Sequence, residues 1–352
     1  MQNKLTITVE GKDLGALPLM ERVSAAADHM QMKYMGLQMA AMNLQMTGMQ
    51  LSAAGIALGG SLLYAGKAAG TFDDKMRAVN TMVHASGKAF ADLEDQVLKV
   101  AANPLIQDTG DKLAEGLYDI KSAGIDGALG FEVLDKAAVV ATGGMVDTKD
   151  AAASMVAIMN AYGQKTAPDA QRISDELFKT VELGVMHFSD LNGQLGEMAA
   201  LGGTIGVPFV ELEAALAAMT RRGFNVAEST TSLARIQQAF LQPTKAMTAM
   251  LKQQGYESGL AAIKQLGLVG ALDLLKRVTG DDQTAMAAYV DDVRSLRAAL
   301  SLTSDGGALF QEMLRGIQHS TGAAAQAARD ASEGPMGQLR LARKERPTDA
   351  VQ

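Results

Sequence analysis

The apolar positions change their spacing along the chain, and each spacing predicts a different element. From Leu5 to Val9 they alternate with threonine and then reach Gly11, the pattern of one short N-terminal strand. A single strand has no partner of its own, so it lies along a helix or pairs with another copy or another protein. Between Tyr34 and Gly66 there is no charged residue, and the methionines keep a seven-residue period. Met32, Met39 and Met46 form one series, continued by Ala53 and Gly60. Met35, Met42 and Met49 form the other, continued by Ile56 and Leu63. Two series offset by three and four residues make a heptad, coiled-coil-like seam, which predicts a long apolar helix packed lengthwise against another helix. Its flanks are Gln, Asn, Thr, Ser and Ala rather than Glu and Lys, which leaves two readings. Either the helix bundles, with copies of itself, inside a protein-lined space, or Thr47 to Gly66 enters a membrane. Gly55 and Gly59 are spaced for close helix contact in that segment.

After Gly70 the period becomes that of ordinary amphipathic helices. Gly124, Gly143, Gly163, Gly184, Gly203 and Gly223 recur about every 20 residues, each after an apolar-periodic run, where glycine stops a helix most readily. Starts fall between them: Asp147 or Thr148 before the helix reaching Tyr162, Pro208 in a first turn, and Asn225 with Glu228 as a capping box. Helices continue beyond Pro243 through Leu251, Ala261 to Lys276 and Ala285 to Leu302. Breaks fall at Thr279–Asp282 and Ser304–Gly307. From Thr321 the pattern reads as a helix that leaves the globular part and frays. The fold expected is therefore mainly α, a multi-helix antiparallel bundle or array with the long apolar helix and the short strand at its N-terminus. Three regions follow: 1–70, 71–245 and 246–352. Helix–turn units of about 20 residues also admit a solenoid. No side-chain signature repeats from unit to unit, so a compact orthogonal domain is an equal alternative.

Composition sharpens the helical reading. Hydrophobic residues are 48%, yet aromatics are 4%, Trp is absent, and Met reaches 22 against 9 Phe. Ala and Met pack helix on helix, whereas sheet cores lean on β-branched and aromatic residues. The net charge of −7 with scattered Lys and Arg excludes a sequence-specific nucleic-acid surface. The short basic run Arg340, Arg343, Lys344, Arg346 reads as a solvated helix face or tail. With no cysteine there are no disulfides, thiolate catalysis or Cys-based zinc sites, and the first ten residues lack a secretory-signal pattern.

No constellation of catalytic or cofactor-binding residues emerges. His29, His84, His187 and His319 stand far apart, none with a partner at metal-ligand spacing. Gly87–Lys88 lacks the rest of a phosphate loop, and Gly202–Gly206 follows a helix rather than a strand. The acid pairs Asp73–Asp74, Asp281–Asp282 and Asp291–Asp292 sit where helices start and where negative charge suits the dipole. The reading is a structural or assembly protein with no enzyme site, cofactor or metal.

The order of segments resembles the core region of phage tail tape-measure proteins, from about Phe72 to the C-terminus. An apolar helix, a glycine and Phe-Asp-x-x-Met are matched by Ala68-Ala69-Gly70-Thr71-Phe72-Asp73-Asp74-Lys75-Met76. Leu117 to Gly124 matches a helix with an Ala-Gly end. Leu195 to Gly202, leading to Glu211–Leu216, matches a small-residue helix, Gly turn and acidic-Ala helix. Thr230 through Leu241 to Pro243 matches a helix ending in Leu-x-x-Pro. The family has no catalytic residues to carry over. The resemblance implies a protein in the lumen of the tail tube that sets tail length and leaves during genome ejection. It implies self-association and contact with tail-tube, tail-tip and tail assembly chaperone proteins. It also implies a virion location after assembly in the host cytoplasm, with membrane contact during ejection. Tape measures usually run on through a long helical tape, whereas this chain stops just after the core. The resemblance therefore implies a short tape, a truncated or processed form, or a degenerate prophage copy. Two other functions fit the pattern alone: a solenoid-type binding scaffold, and a membrane-perturbing protein acting through residues 34–66.

Overall fold

The computed structural model describes residues 69–338, apart from positions 192 and 336. The expected N-terminal strand and the long apolar helix lie outside these residues. A helical segment over 69–83 leads into α1 (Lys88–Ala101), α2 (Gly110–Ser122), α3 (Gly127–Gly144), α4 (Thr148–Tyr162) and α5 (Ala167–Leu183). A 3-10 turn at Phe188–Leu191 precedes α6 (Leu195–Ile205), α7 (Phe209–Arg221), α8 (Val226–Leu241) and α9 (Lys245–Gln253). Then come α10 (Gly259–Thr279), α11 (Gln283–Tyr289) and α12 (Val293–Thr303). After a second 3-10 turn at Ser304–Gly307, α13 (Ala308–Gln318) and α14 (Ala323–Glu333) close the body. No strand occurs among the described residues.

Two helices form the interior. In α3, Val133, Leu134 and the run Ala137–Thr142 are all buried, and in α7 every residue from Leu212 to Thr220 is. A helix buried on every side needs neighbours all round, and the chain supplies them from distant segments. The pairs α2–α4, α3–α4 and α4–α6 build one half of the body. The last three helices then return in reverse order: α12 packs on α8, α13 on α7 and α14 on α3. A solenoid touches only its sequence neighbours, so this closure selects the compact domain over the solenoid. It also corrects the expected departure of the chain after Thr321. There α14 turns back onto α3 and α5, because its alanines fit a glycine-lined seat. Buried threonines on these helices satisfy themselves by donating to the carbonyl one turn back, as Thr180 Oγ1 does to the Glu176 carbonyl oxygen at 2.8 Å.

The glycine rhythm has two physical origins rather than one. Gly124, Gly163 and Gly223 take left-handed φ of 79°, 64° and 91° just past a helix. At each, the next residue's N–H reaches back five positions, as Gln164 N does to the Met159 carbonyl at 2.9 Å. Gly143 and Gly203 are instead helical, and Gly184 is extended. A Cβ at Gly143 would lie 2.9 Å from Ala327 Cβ, and one at Gly203 would drive into the Ala161 carbonyl oxygen. These two glycines permit helix-on-helix approach, while exposed Met145, at φ 55°, and Gly206, at φ 84°, terminate the helices. The expected helix from Ala285 to Leu302 is also two, α11 and α12. Asp292 breaks it by accepting the Arg294 and Ser295 N–H groups at 2.9 and 3.0 Å. The breaks at Thr279–Asp282 and Ser304–Gly307 fall where the pattern puts them, as does Asn225, which accepts from Glu228 N at 2.8 Å.

Gly203→Ala is expected to lower stability by about 1–3 kcal/mol through overpacking against a rigid backbone atom, despite alanine's better helix propensity. Urea denaturation checks it; a midpoint equal to or above that of the parent would mean that α4 and α6 do not meet so closely.

Candidate functional site

Polar groups inside the body gather along α5. This helix starts with a capping box: Thr166 Oγ1 accepts from Asp169 N at 3.3 Å while Asp169 accepts from Thr166 N at 3.1 Å. Arg172, Asp175 and Glu176 follow at spacings of three and four, so they share one side. Asp175 and Glu176 are buried among Ala170, Ile173 and Leu177. Asp175 accepts three hydrogen bonds: from Gly322 N at 3.0 Å, Ala324 N at 3.1 Å and Gln171 Nε2 at 3.0 Å. Glu176 accepts from Arg172 Nη1 at 2.7 Å.

Glu213 enters this environment from α7, with 1% of its surface exposed. Neither carboxylate oxygen has a hydrogen-bond partner, and neighbouring Thr180 already donates its hydroxyl proton to its own helix. Burial pushes the Glu213 carboxyl well above its ordinary value; the Glu176 charge pushes the same way and Arg172 opposes it. Burial also raises Glu176, against the pull of Arg172. A buried acid without a cation or a hydrogen-bond donor beside it is the one that holds a proton most readily. Glu176 has the ion pair, so Glu213 holds the proton.

Two positions earlier, Glu211 faces α10 and, unlike Glu213, finds backbone donors. Gly267, at φ 70°, interrupts α10, and Glu211 Oε2 accepts from the freed Leu268 and Val269 N–H groups at 2.5 and 3.2 Å. Burial raises this carboxyl, and the two backbone hydrogen bonds offset only part of the rise. Asp108 does similar work for α4: its Oδ2 accepts from Thr148 N at 3.0 Å and Thr148 Oγ1 at 2.7 Å. Asp147, expected as a cap of that helix, occupies the N-cap position but gives its carboxylate to Lys112 Nζ at 2.7 Å. Tyr162 donates to the Val207 carbonyl at 2.9 Å, with its ring edge-on to Phe209 at 5.6 Å. Burial raises its phenol.

A carboxyl held protonated resembles a general acid, but chemistry needs access. Among the described residues, one surface hollow of about 300 Å³ is lined by Lys276, Gly280, Asp281 and Ser304, and another of about 320 Å³ by Pro243, Lys245 and Lys252. Neither reaches Glu213. Among the described residues no three His, Asp or Glu side chains converge as a metal site would require. What the cluster shows is a set of side chains that joins α5, α7 and α14.

Pattern reading missed Asp108, Asp175, Glu176, Glu211 and Glu213. One signal was present for Glu213: Leu212 and Ala214–Ala218 cover every face of its helix and leave no polar stripe for it. The association seam Met32, Met35, Met39, Met42, Met46, Met49, Ile56 and Leu63, and the pair Gly55 and Gly59, lie outside the described residues.

The raised Glu213 carboxyl links stability to pH. Folding takes up a proton, so stability is greatest below the unfolded carboxylate value of about 4.3 and falls as pH rises through the folded value. Glu213→Gln is expected to match the parent near pH 4.5 and to exceed it in urea midpoint near pH 8. Parallel curves for the two proteins across that range would mean that Glu213 is ionised in the folded state.

The family described as phage-related minor tail protein matches residues 94–293, which lie wholly within the helical body. No curated protein and no solved structure matches the chain. The match covers more than half of the 352 residues and spans α3, α5 and α7, the helices that build the interior. The chain belongs to the phage-related minor tail protein family.

Proposed function

We propose that this member of the family acts as a tape measure: it occupies the lumen of the tail tube, sets tail length and leaves during genome ejection. Family membership supports a structural role in a phage tail and, with it, a place in the virion. The observation that carries the finer reading is the coincidence of the family match with the folded body, together with the segment order shared with tape-measure cores.

In this reading the helix expected to carry Met32 to Leu63 associates with copies of itself, because its seam is apolar and from Tyr34 onward it has no charges to keep copies apart. Tail-tube, tail-tip and tail assembly chaperone proteins are the remaining partners. No helix among the described residues is long and apolar enough to cross a membrane. Membrane contact during ejection is assigned to Thr47 to Gly66, which lies outside these residues.

Electron microscopy of particles from a producing strain tests this. Deleting the gene is expected to abolish tails or make their lengths erratic, and Met39→Glu, Met42→Glu and Met46→Glu together to reproduce that defect. Normal tails of normal length after deletion would reject the tape-measure role.

A further inference from the structure

The last helix is held differently from those it packs beside. Its neighbour α13 anchors itself with Phe310, Met313 and Ile317, all buried. In α14 the fully buried residues are Ala324 and Ala328, and Gln326, Arg329, Asp330 and Glu333 face solvent. Two methyl groups remove far less apolar surface from water than a Phe, a Met and an Ile. The seat is shaped for closeness rather than area: a Cβ at Gly143 would lie 3.2 Å from Ala328 N and 3.2 Å from Phe178 Cε2. What α14 lacks in apolar area it recovers at one polar point. Asp175, 2% exposed, accepts the Gly322 and Ala324 N–H groups and so caps the helix from a position 147 residues away. One weaker polar contact lies further along, Gln107 Nε2 to Ser332 Oγ at 3.3 Å.

An isolated helix of 11 residues is marginal in water, so α14 keeps its form only while seated. It is joined to α13 by a short turn ending in Gly322, at φ 82°, which swings without side-chain hindrance. We propose that α14 is a strap that lifts off while the rest of the body stays folded, and that Asp175 is the latch that holds it down. Lifting uncovers the groove around Gly143 and Phe178 between α3 and α5, an apolar surface otherwise sealed. None of this depends on the tape-measure role.

Hydrogen exchange of the full chain, read by mass spectrometry at neutral pH, tests the strap and the latch together. Amides over 324–333 are expected to exchange at least about tenfold faster than interior amides of α3 and α7, as a sub-global opening requires. Asp175→Asn is expected to speed them by a further tenfold or so, by weakening two charge-assisted hydrogen bonds, and to leave α3 and α7 unchanged. Exchange of α14 in step with α3 and α7 in the parent would overturn the strap. An unchanged α14 in the variant would overturn the latch. If Asp175→Asn does not fold, trypsin acting on the parent decides: cleavage after Arg329 must outpace global unfolding, and cleavage only at the global rate overturns the strap.

Discussion

Every α-helix begins with backbone N–H groups that have no partner within the helix, and a helix start buried in a protein must find acceptors elsewhere. Three times in this body a carboxylate from a distant segment answers that need. Asp108 reaches α4 across 40 residues, Glu211 the second half of α10 across 57, and Asp175 the start of α14 across 147. Each hydrogen bond to a charged group contributes about 1.5–3 kcal/mol. The larger effect is topological, since each bond fixes where a remote helix starts. Asp175 in particular brings the end of the described chain back to its middle, over α3.

Glu213 shows what happens to the same chemistry without a helix start to cap. It is as buried as Asp175, yet it finds no N–H group and meets the charge of Glu176 instead, so it keeps its proton. Glu211, two residues away, stays within reach of two backbone donors. The neighbouring Gly267 makes that possible by opening α10 and releasing them. Electrostatics inside this body are thus set by which helix ends point at which acids, and not by the number of charges.

That dependence explains what could be read from the chain and what could not. Helical class followed from Ala, Met and scarce aromatics, and the left-handed turns at Gly124, Gly163 and Gly223 followed from local spacing. Gly143 and Gly203 have the same spacing but a different cause, because what demands them is Ala327 or Ala161 from another helix. Asp175 and Gly322 illustrate the limit most plainly, since no local pattern links two residues 147 apart. Asp292 splits the segment after Ala285 although the apolar period runs through it; there a local cap outweighs periodicity. The heptad seam, the most regular pattern of all, belongs to residues outside the described body. Family membership rests on the helices from α1 to the start of α12.

A compact body of antiparallel helices is far shorter than the chain that forms it, so a ruler built from this protein must express length outside the body. Lengthening the chain there tests the proposed role most directly. Inserting about 100 residues of uninterrupted helical sequence after Gln338 is predicted to lengthen tails by about 150 Å, at the ~1.5 Å per residue of an α-helix. Tails of unchanged length, on particles that still assemble with the enlarged protein inside, would contradict the tape-measure account and leave a tail component with another structural task.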